Sequence, residues 1–75
     1  MTLGEKIQKL RKQRGLSQEA LAEKVTVTRQ TISKWELGQS TPDLDFIAQL
    51  SDIFNVSSDY LIKDEMTEPD ELPYK

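Results

Sequence analysis

Signals that start and stop helices recur along this chain at short intervals, and they constrain its fold more than any other feature. Ser or Thr residues that can cap a helix precede amphipathic segments, and Gly or Asn residues that tolerate a left-handed backbone follow several of them. The start signals are Thr2, Ser17, Thr28 and Ser57, and the stop signals are Gly15, Gly38 and Asn55. A fourth helix can be capped by either Thr41 or Asp43. This spacing predicts an all-α protein of five short helices.

Apolar residues at helical spacing mark the face that each predicted helix buries. The first helix carries Leu3, Ile7 and Leu10, and the second carries Leu21 and Val25. The fourth carries a broader stripe, made of Leu44, Ile47, Ala48, Leu50, Ile53 and Phe54. A stripe of this width predicts a helix that lies across the others and forms the centre of the core.

The size and composition exclude several classes of protein. The chain has 75 residues, enough for one small domain with a single core. It has no Cys and no His, which excludes disulfides, thiolate or imidazole zinc sites and His-dependent nucleophile triads. We expect no cofactor and no metal. No apolar run approaches the roughly 18 residues of a membrane span, and residues 1–6 lack a signal-peptide core, which predicts a cytoplasmic protein.

The charges are distributed unevenly along the chain. Residues 1–38 contain eight Lys and Arg against four Glu, a net charge of +4, whereas residues 39–75 contain two Lys against nine Asp and Glu, a net charge of -7. The N-terminal half can therefore face a polyanion, and ordinary solvated surfaces are the alternative. Residues 64–75 are acidic and contain Pro69 and Pro73, so we expect a flexible tail or linker after a domain of residues 1–63.

The segment Thr28–Glu36 predicts a helix with a polar, partly cationic outer face. Ile32 and Trp35 stand three residues apart and are expected to be buried together. We interpret Trp35 as a core residue, with a stacking platform for bases as the alternative. The side chains that this arrangement turns outward are Arg29, Gln30, Ser33 and Lys34. Arg and Lys pair with guanine and Gln with adenine, so this face suits the edges of DNA bases.

Two short helices joined by residues 26–28 have the form of a helix-turn-helix, and residues 18–37 resemble that motif over its whole length. Ala22 stands where only a small side chain lets the two helices approach each other. Further matches occupy the buried positions of the motif: Leu21, Val25, Val27, Ile32 and Trp35. From Leu3 to about Lys63 the chain is similar to the Cro and phage-repressor type of helix-turn-helix domain, also called the xenobiotic-response-element family. The resemblance implies a five-helix, lambda-repressor-like fold.

The resemblance also implies a sequence-specific DNA-binding regulator, a repressor, whose third helix enters the major groove of a double-stranded operator. The predicted base readers are Arg29, Gln30 and Lys34 together with Ser33. Gln18 opens the second helix, where free N–H groups and the helix dipole favour a phosphate. Further candidates for phosphate contact, through side-chain or main-chain donors, are Thr28, Gln39, Ser40 and Thr41. Because the loop 39–41 is neutral, we expect a shallow salt dependence.

Two positions of the resembled motif concern its scaffold. The counterparts of Arg11 and Glu36 form an ion pair that joins the first helix to the end of the third, so we interpret both as structural. A phosphate contact by Arg11 is the alternative. Thr26 stands where the family usually has Gly, and a β-branched residue tolerates positive φ poorly. Either the turn adjusts or Thr26 is strained.

The resemblance further implies a homodimer on a palindromic operator, with two reading helices about 34 Å apart. The dimer surface of such proteins lies near the last helices, which here carry Val56, Tyr60 and Ile62; ordinary core positions are an equal alternative. A second hypothesis is an antitoxin or other protein-interaction module whose acidic tail binds a basic protein. An enzyme lacks support, because Asp43 and Asp45 fall at a helix start, where carboxylates interact favourably with the dipole.

Overall fold

The computed structural model of this chain describes residues 1–63. They form the helices α1 (Leu3–Gln13), α2 (Gln18–Val25), α3 (Arg29–Leu37), α4 (Leu44–Phe54) and α5 (Ser58–Ile62). The predicted all-α architecture with a central helix-turn-helix is confirmed. No helix within residues 1–63 combines the length and the apolar character that crossing a membrane demands. The predicted acidic tail, residues 64–75, lies outside the described residues.

Each of these five helices starts at a side chain that caps it. The caps are Thr2, Ser17, Thr28, Asp43 and Ser57, and in each case a side-chain oxygen accepts an N–H of the first turn. Thr2 and Glu5 form a complete capping box, as predicted. For α4 the structure selects Asp43, whose Oδ1 accepts the N–H of Phe46 at 3.3 Å. The local sequence therefore determines where the helices begin.

Left-handed residues end several helices, and one of them is β-branched. Gly38 and Asn55 adopt φ values of 77° and 55° after α3 and α4. Thr26 ends α2 with φ 62° and ψ 47°, a conformation that Gly adopts without strain. Of the two outcomes that the sequence left open, the turn keeps its left-handed geometry and Thr26 bears the strain.

The core is built around α3, which packs against both α1 and α2. The buried apolar residues form one cluster: Ile7, Leu10, Leu21, Ala22, Val25, Ile32, Trp35, Ile47, Leu50, Phe54, Val56, Tyr60 and Leu61. Ile32 and Trp35 are buried together as predicted, and the Trp35 ring lies 5.3 Å from the Phe46 ring, centroid to centroid. Trp35 is therefore a core residue and has no face open to stack on a base.

The buried stripe of α4 is narrower than predicted. Ile47, Leu50 and Phe54 are buried, but Leu44 is 75% exposed and Ala48 is exposed as well. Leu44 and Ala48 lie four residues apart and share one side of the helix. Since α4 packs mainly against α5 and α2, that side faces solvent, and the prediction was wrong for these two residues.

Two of the three residues considered for a dimer surface belong to the core. Val56 is 3% exposed and Tyr60 is 0% exposed. Their side chains are covered by the same chain, so the core alternative applies to both and a dimer surface cannot be built from them. Ile62, in contrast, is 51% exposed.

Gly4 allows the start of α1 to approach the end of α3 very closely. A Cβ at this position would lie 2.4 Å from the carbonyl oxygen of Trp35 and 2.6 Å from that of Glu36. Both distances are shorter than any van der Waals contact, and the atoms concerned belong to the backbone and cannot rotate away. The absence of a side chain at Gly4 therefore sets the spacing between the two helices.

Cations in or just after α1 cap the ends of two later helices. Lys6 is fully buried, and its Nζ donates to the carbonyl oxygens of Tyr60 and Lys63 at 2.5 Å each. Nζ also lies 4.6 Å from the centroid of the Tyr60 ring. Arg14 donates to the carbonyl oxygen of Phe54 at the end of α4. Cations interact favourably with the carbonyl groups at the C-terminal ends of helices, so the two side chains tie α1 to α4 and α5.

Candidate nucleic-acid interface

The predicted base readers lie on the side of α3 that points away from the core. Three of them, Arg29, Gln30 and Lys34, are exposed, and Ser33 is half-buried. On the opposite side, Ile32 is 0% exposed and Trp35 is 4% exposed. The buried pair therefore fixes the rotation of α3 about its axis, and the rotation decides which side chains are offered to a ligand.

Arg11 and Glu36 form an ion pair that joins α1 to the end of α3. Arg11 Nε donates to Glu36 Oε2 at 2.6 Å, and Nη2 donates to Oε1 at 3.2 Å. The two side chains are only 10% and 2% exposed. Arg11 Nη1 also donates to the carbonyl oxygen of Leu16 at 2.9 Å. With its nitrogens engaged inside the chain, Arg11 has the geometry of a scaffold residue and not of a phosphate ligand.

Gln18, a predicted phosphate contact, uses its side chain inside the protein. Its Nε2 donates to Glu36 Oε1 at 3.0 Å, and its Oε1 accepts from Arg29 Nη1 at 3.4 Å. Sequence reasoning missed this arrangement, because the three residues belong to separate segments and no periodicity relates them. The side chain of Gln18 therefore links the buried ion pair to a predicted base reader.

Thr28 is occupied in capping α3. Its Oγ1 accepts the N–H of Thr31 at 3.2 Å and lies 3.0 Å from Thr31 Oγ1. The residue is exposed, and either hydroxyl can donate in the contact with Thr31. When Thr31 donates, Thr28 keeps its own proton for a phosphate. A contact from Thr28 to a phosphate is compatible with its role as a cap.

Main-chain N–H groups at the start of the loop after α3 form hydrogen bonds that close that helix. The N–H groups of Gln39 and Ser40 donate to the Lys34 carbonyl oxygen at 2.9 and 3.4 Å. These two N–H groups are therefore already hydrogen-bonded and are not free to donate to a phosphate. The side chains of Gln39, Ser40 and Thr41 are exposed, so any contact from this loop comes from amide or hydroxyl groups.

The electrostatic character of the interface is less positive than the sequence count suggests. Lys6 is buried and Arg11 is neutralised by Glu36. Glu19 and Glu23 of α2 line an open cavity of about 490 Å³ together with Arg29. Carboxylates that share a cavity with a guanidinium lower the positive potential around it.

These features place the chain in the class of small helix-turn-helix binding domains. The second helix of the motif is anchored by buried residues, and it exposes amide and cationic side chains. A family model described as helix-turn-helix matches residues 7–61, well over half of the chain. The protein belongs to this helix-turn-helix family.

The curated relatives of this chain include YonR and ImmR, both from Bacillus subtilis (strain 168). The chain is 42% identical over 60 residues to the SPbeta prophage-derived HTH-type transcriptional regulator YonR, a match that covers 80% of this chain and 56% of YonR. It is 36% identical over 72 residues to the HTH-type transcriptional regulator ImmR, covering 95% of this chain and 57% of ImmR. The chain spans a little over half the length of these relatives.

Similar solved structures include the c2 repressor of Salmonella phage P22 in complex with a synthetic operator. It superimposes with a TM-score of 0.81 and 34% identity, covering 87% of this chain and 98% of that one. The predicted lambda-repressor-like, five-helix fold is confirmed by this match.

Proposed function

We propose that this domain is the DNA-binding part of a transcriptional repressor, which acts inside the cell by occupying an operator and not by catalysis. The observation that carries the proposal is the exposed row of Arg29, Gln30 and Lys34 on a helix anchored from behind by Ile32 and Trp35. The likeness to a phage repressor that was solved with an operator supports it.

In the proposed complex α3 lies in the major groove. The fork of the Arg29 guanidinium matches O6 and N7 of guanine, the Gln30 amide matches N6 and N7 of adenine, and Lys34 reaches a guanine or a phosphate. Each well-formed base contact discriminates by about 1 to 3 kcal/mol, so two or three contacts suffice for a preferred half-site. Ser33, half-buried, is limited to a short hydroxyl contact.

Phosphates flank this contact on both sides. At one side stand the N-terminal end of α2, with Gln18, and the cap Thr28; at the other stands the loop 39–41. The loop carries no charge, so few phosphate charges are neutralised and the affinity falls only gradually as salt is added. A homodimer then supplies the missing affinity by placing two copies of α3 on the halves of a palindrome. Ile62 is the exposed candidate for that dimer surface.

Selection of bound fragments from a random DNA pool tests the proposal. We expect an enriched palindrome with half-sites about 10 base pairs apart. Gln30→Ala should remove the preference at one base pair and leave non-specific binding nearly unchanged. Gln49→Ala, which alters an exposed glutamine of α4, is the matched control and should leave every preference intact.

A protein-interaction module, such as an antitoxin that does not itself read DNA, gives the opposite result. The pool then shows no enrichment, and a gel-shift titration shows no difference between selected and random duplexes.

A further inference from the structure

The last residue of α3 is an exposed leucine. This helix has three apolar side chains, and two of them belong to the core: Ile32 is 0% exposed and Trp35 is 4% exposed. The third, Leu37, is 69% exposed. Leu37 therefore contributes little to the core, and its side chain is available to a ligand.

Leu37 lies on the same side of α3 as two predicted base readers. It follows Gln30 by seven residues, which at about 3.6 residues per turn is roughly 20° short of two full turns, and it follows Lys34 by three. Both of those residues are exposed. With a rise of about 1.5 Å per residue, Leu37 stands roughly 10 Å along the helix from Gln30. The outward row of α3 thus has an apolar side chain at its C-terminal end.

The structure leaves open space beside Leu37. The residue borders an open cavity of about 560 Å³, whose lining also includes Leu3, Ser40 and Thr41. Ser40 and Thr41 are themselves exposed. The Leu37 side chain can therefore meet a ligand without displacing a neighbouring segment of the domain.

The major groove offers one apolar group to such a side chain. Hydrogen-bond donors and acceptors line the base edges, and the C5 methyl group of thymine stands among them. We propose that Leu37 contacts this methyl group and thereby favours thymine at one position of the operator. This inference rests on the proposed function, in which α3 lies in the major groove. Because successive base pairs are about 3.4 Å apart, we expect this thymine about three base pairs from the pair that Gln30 reads.

The contact would give sequence preference without a hydrogen bond. It removes the thymine methyl group from water, and burial of a group the size of one CH₂ corresponds to about 4-fold in an equilibrium constant. Cytosine lacks the methyl group and presents an amino donor in the groove instead. A contact from Leu37 to the sugar-phosphate backbone, in contrast, would affect all sequences equally.

The experiment replaces single thymines of a selected operator with deoxyuridine, which removes the methyl group and keeps the base pairing. Binding is measured with the full 75-residue chain. Gln30→Ala first identifies the base pair that Gln30 reads. At a thymine about three base pairs away, deoxyuridine should lower the affinity of the natural protein by about 2- to 5-fold. Leu37→Ala should bind the thymine and deoxyuridine duplexes equally.

Controls separate this effect from a loss of folding and from a general loss of apolar surface. Thermal melting of each variant shows whether the helices are intact. Leu37→Asn keeps a side chain of similar size but makes it polar, and it should also lose the difference between thymine and deoxyuridine. The matched control is Leu44→Ala, which shortens a leucine of α4 that is 75% exposed. This variant should keep the full difference.

The outcomes separate this inference from the proposed function. The inference is wrong if the natural protein selects an operator that has no thymine at the expected distance, or if deoxyuridine there leaves the affinity unchanged. It is also wrong if Leu37→Ala keeps the difference, or weakens all duplexes by the same factor. Failure of the natural protein to select any sequence would instead overturn the proposed function.

Discussion

The two sides of α1 use buried cations in different ways. Toward α3, Arg11 meets a carboxylate, that of Glu36, so charge is balanced by charge. Toward α5, Lys6 meets the neutral carbonyl oxygens of Tyr60 and Lys63. The first interface supports the predicted DNA-binding helix, and the second closes the far end of the domain.

The difference lies in what remains when the cation is removed. Loss of Arg11 leaves an ionised group buried without its main partner, which is among the most destabilising changes in a protein. Loss of Lys6 leaves carbonyl groups near the end of a short helix, where local fraying can expose them to water. A buried cation therefore has no fixed value for stability; its partner determines the cost of losing it.

The largest effect is expected for Arg11→Gln. This substitution leaves Glu36, whose side chain is 2% exposed, without its ion-pair partner. The free energy of unfolding, measured by urea titration, should fall by about 3 to 5 kcal/mol. Lys12→Gln changes the exposed neighbour on the same helix and should stay within about 0.5 kcal/mol. An unchanged stability for Arg11→Gln together with lost operator binding would instead assign Arg11 to a phosphate.

A smaller loss, about 1 to 2 kcal/mol, is expected for Lys6→Met, which keeps an unbranched apolar chain but removes the ammonium. The matched control is Lys9→Met, an exposed lysine on the same helix. Hydrogen exchange of the α5 amides should accelerate in the Lys6 variant alone. Equal losses for Arg11→Gln and Lys6→Met would refute the distinction between charged and neutral partners.

The smallest effect concerns the turns that follow α2 and α4. Thr26→Gly should raise the unfolding free energy by up to about 1 kcal/mol, because Gly adopts the observed φ of 62° without strain. Asn55→Gly changes a residue with a similar φ of 55° but should gain less, since Asn tolerates this conformation. Thermal melting compares the two. A clear loss for Thr26→Gly would mean that the side chain makes a compensating contact.

Local features were predictable from the sequence, because caps and turns depend on residues a few positions apart. Ser17, Thr28 and Ser57 begin helices as predicted, and Asn55 adopts the left-handed exit. The outward direction of Arg29 followed from the spacing of the apolar residues behind it. The choice between Thr41 and Asp43 needed coordinates, because both satisfy the same local rule, and so did the conformation of Thr26.

Contacts between distant segments were not predictable in the same way. The burial of Lys6 and the exposure of Leu44 depend on which helices meet and at what angle. From the sequence alone, a lysine in an amphipathic helix is expected to be exposed to solvent. The contact between Gln18 and Glu36 likewise exists only because α2 and the end of α3 converge. At the candidate site, the sequence therefore indicated which side chains are exposed but not which hydrogen bonds join them.

The side-chain cap at the start of every described helix also bears on how rapidly this domain assembles. Each helix carries its own start signal, so contacts a few residues apart set the helix boundaries, and packing between the helices then stabilises them. Helical domains with mainly local contacts fold in microseconds to milliseconds. A newly synthesised copy accordingly spends little time with its apolar segments open to aggregation.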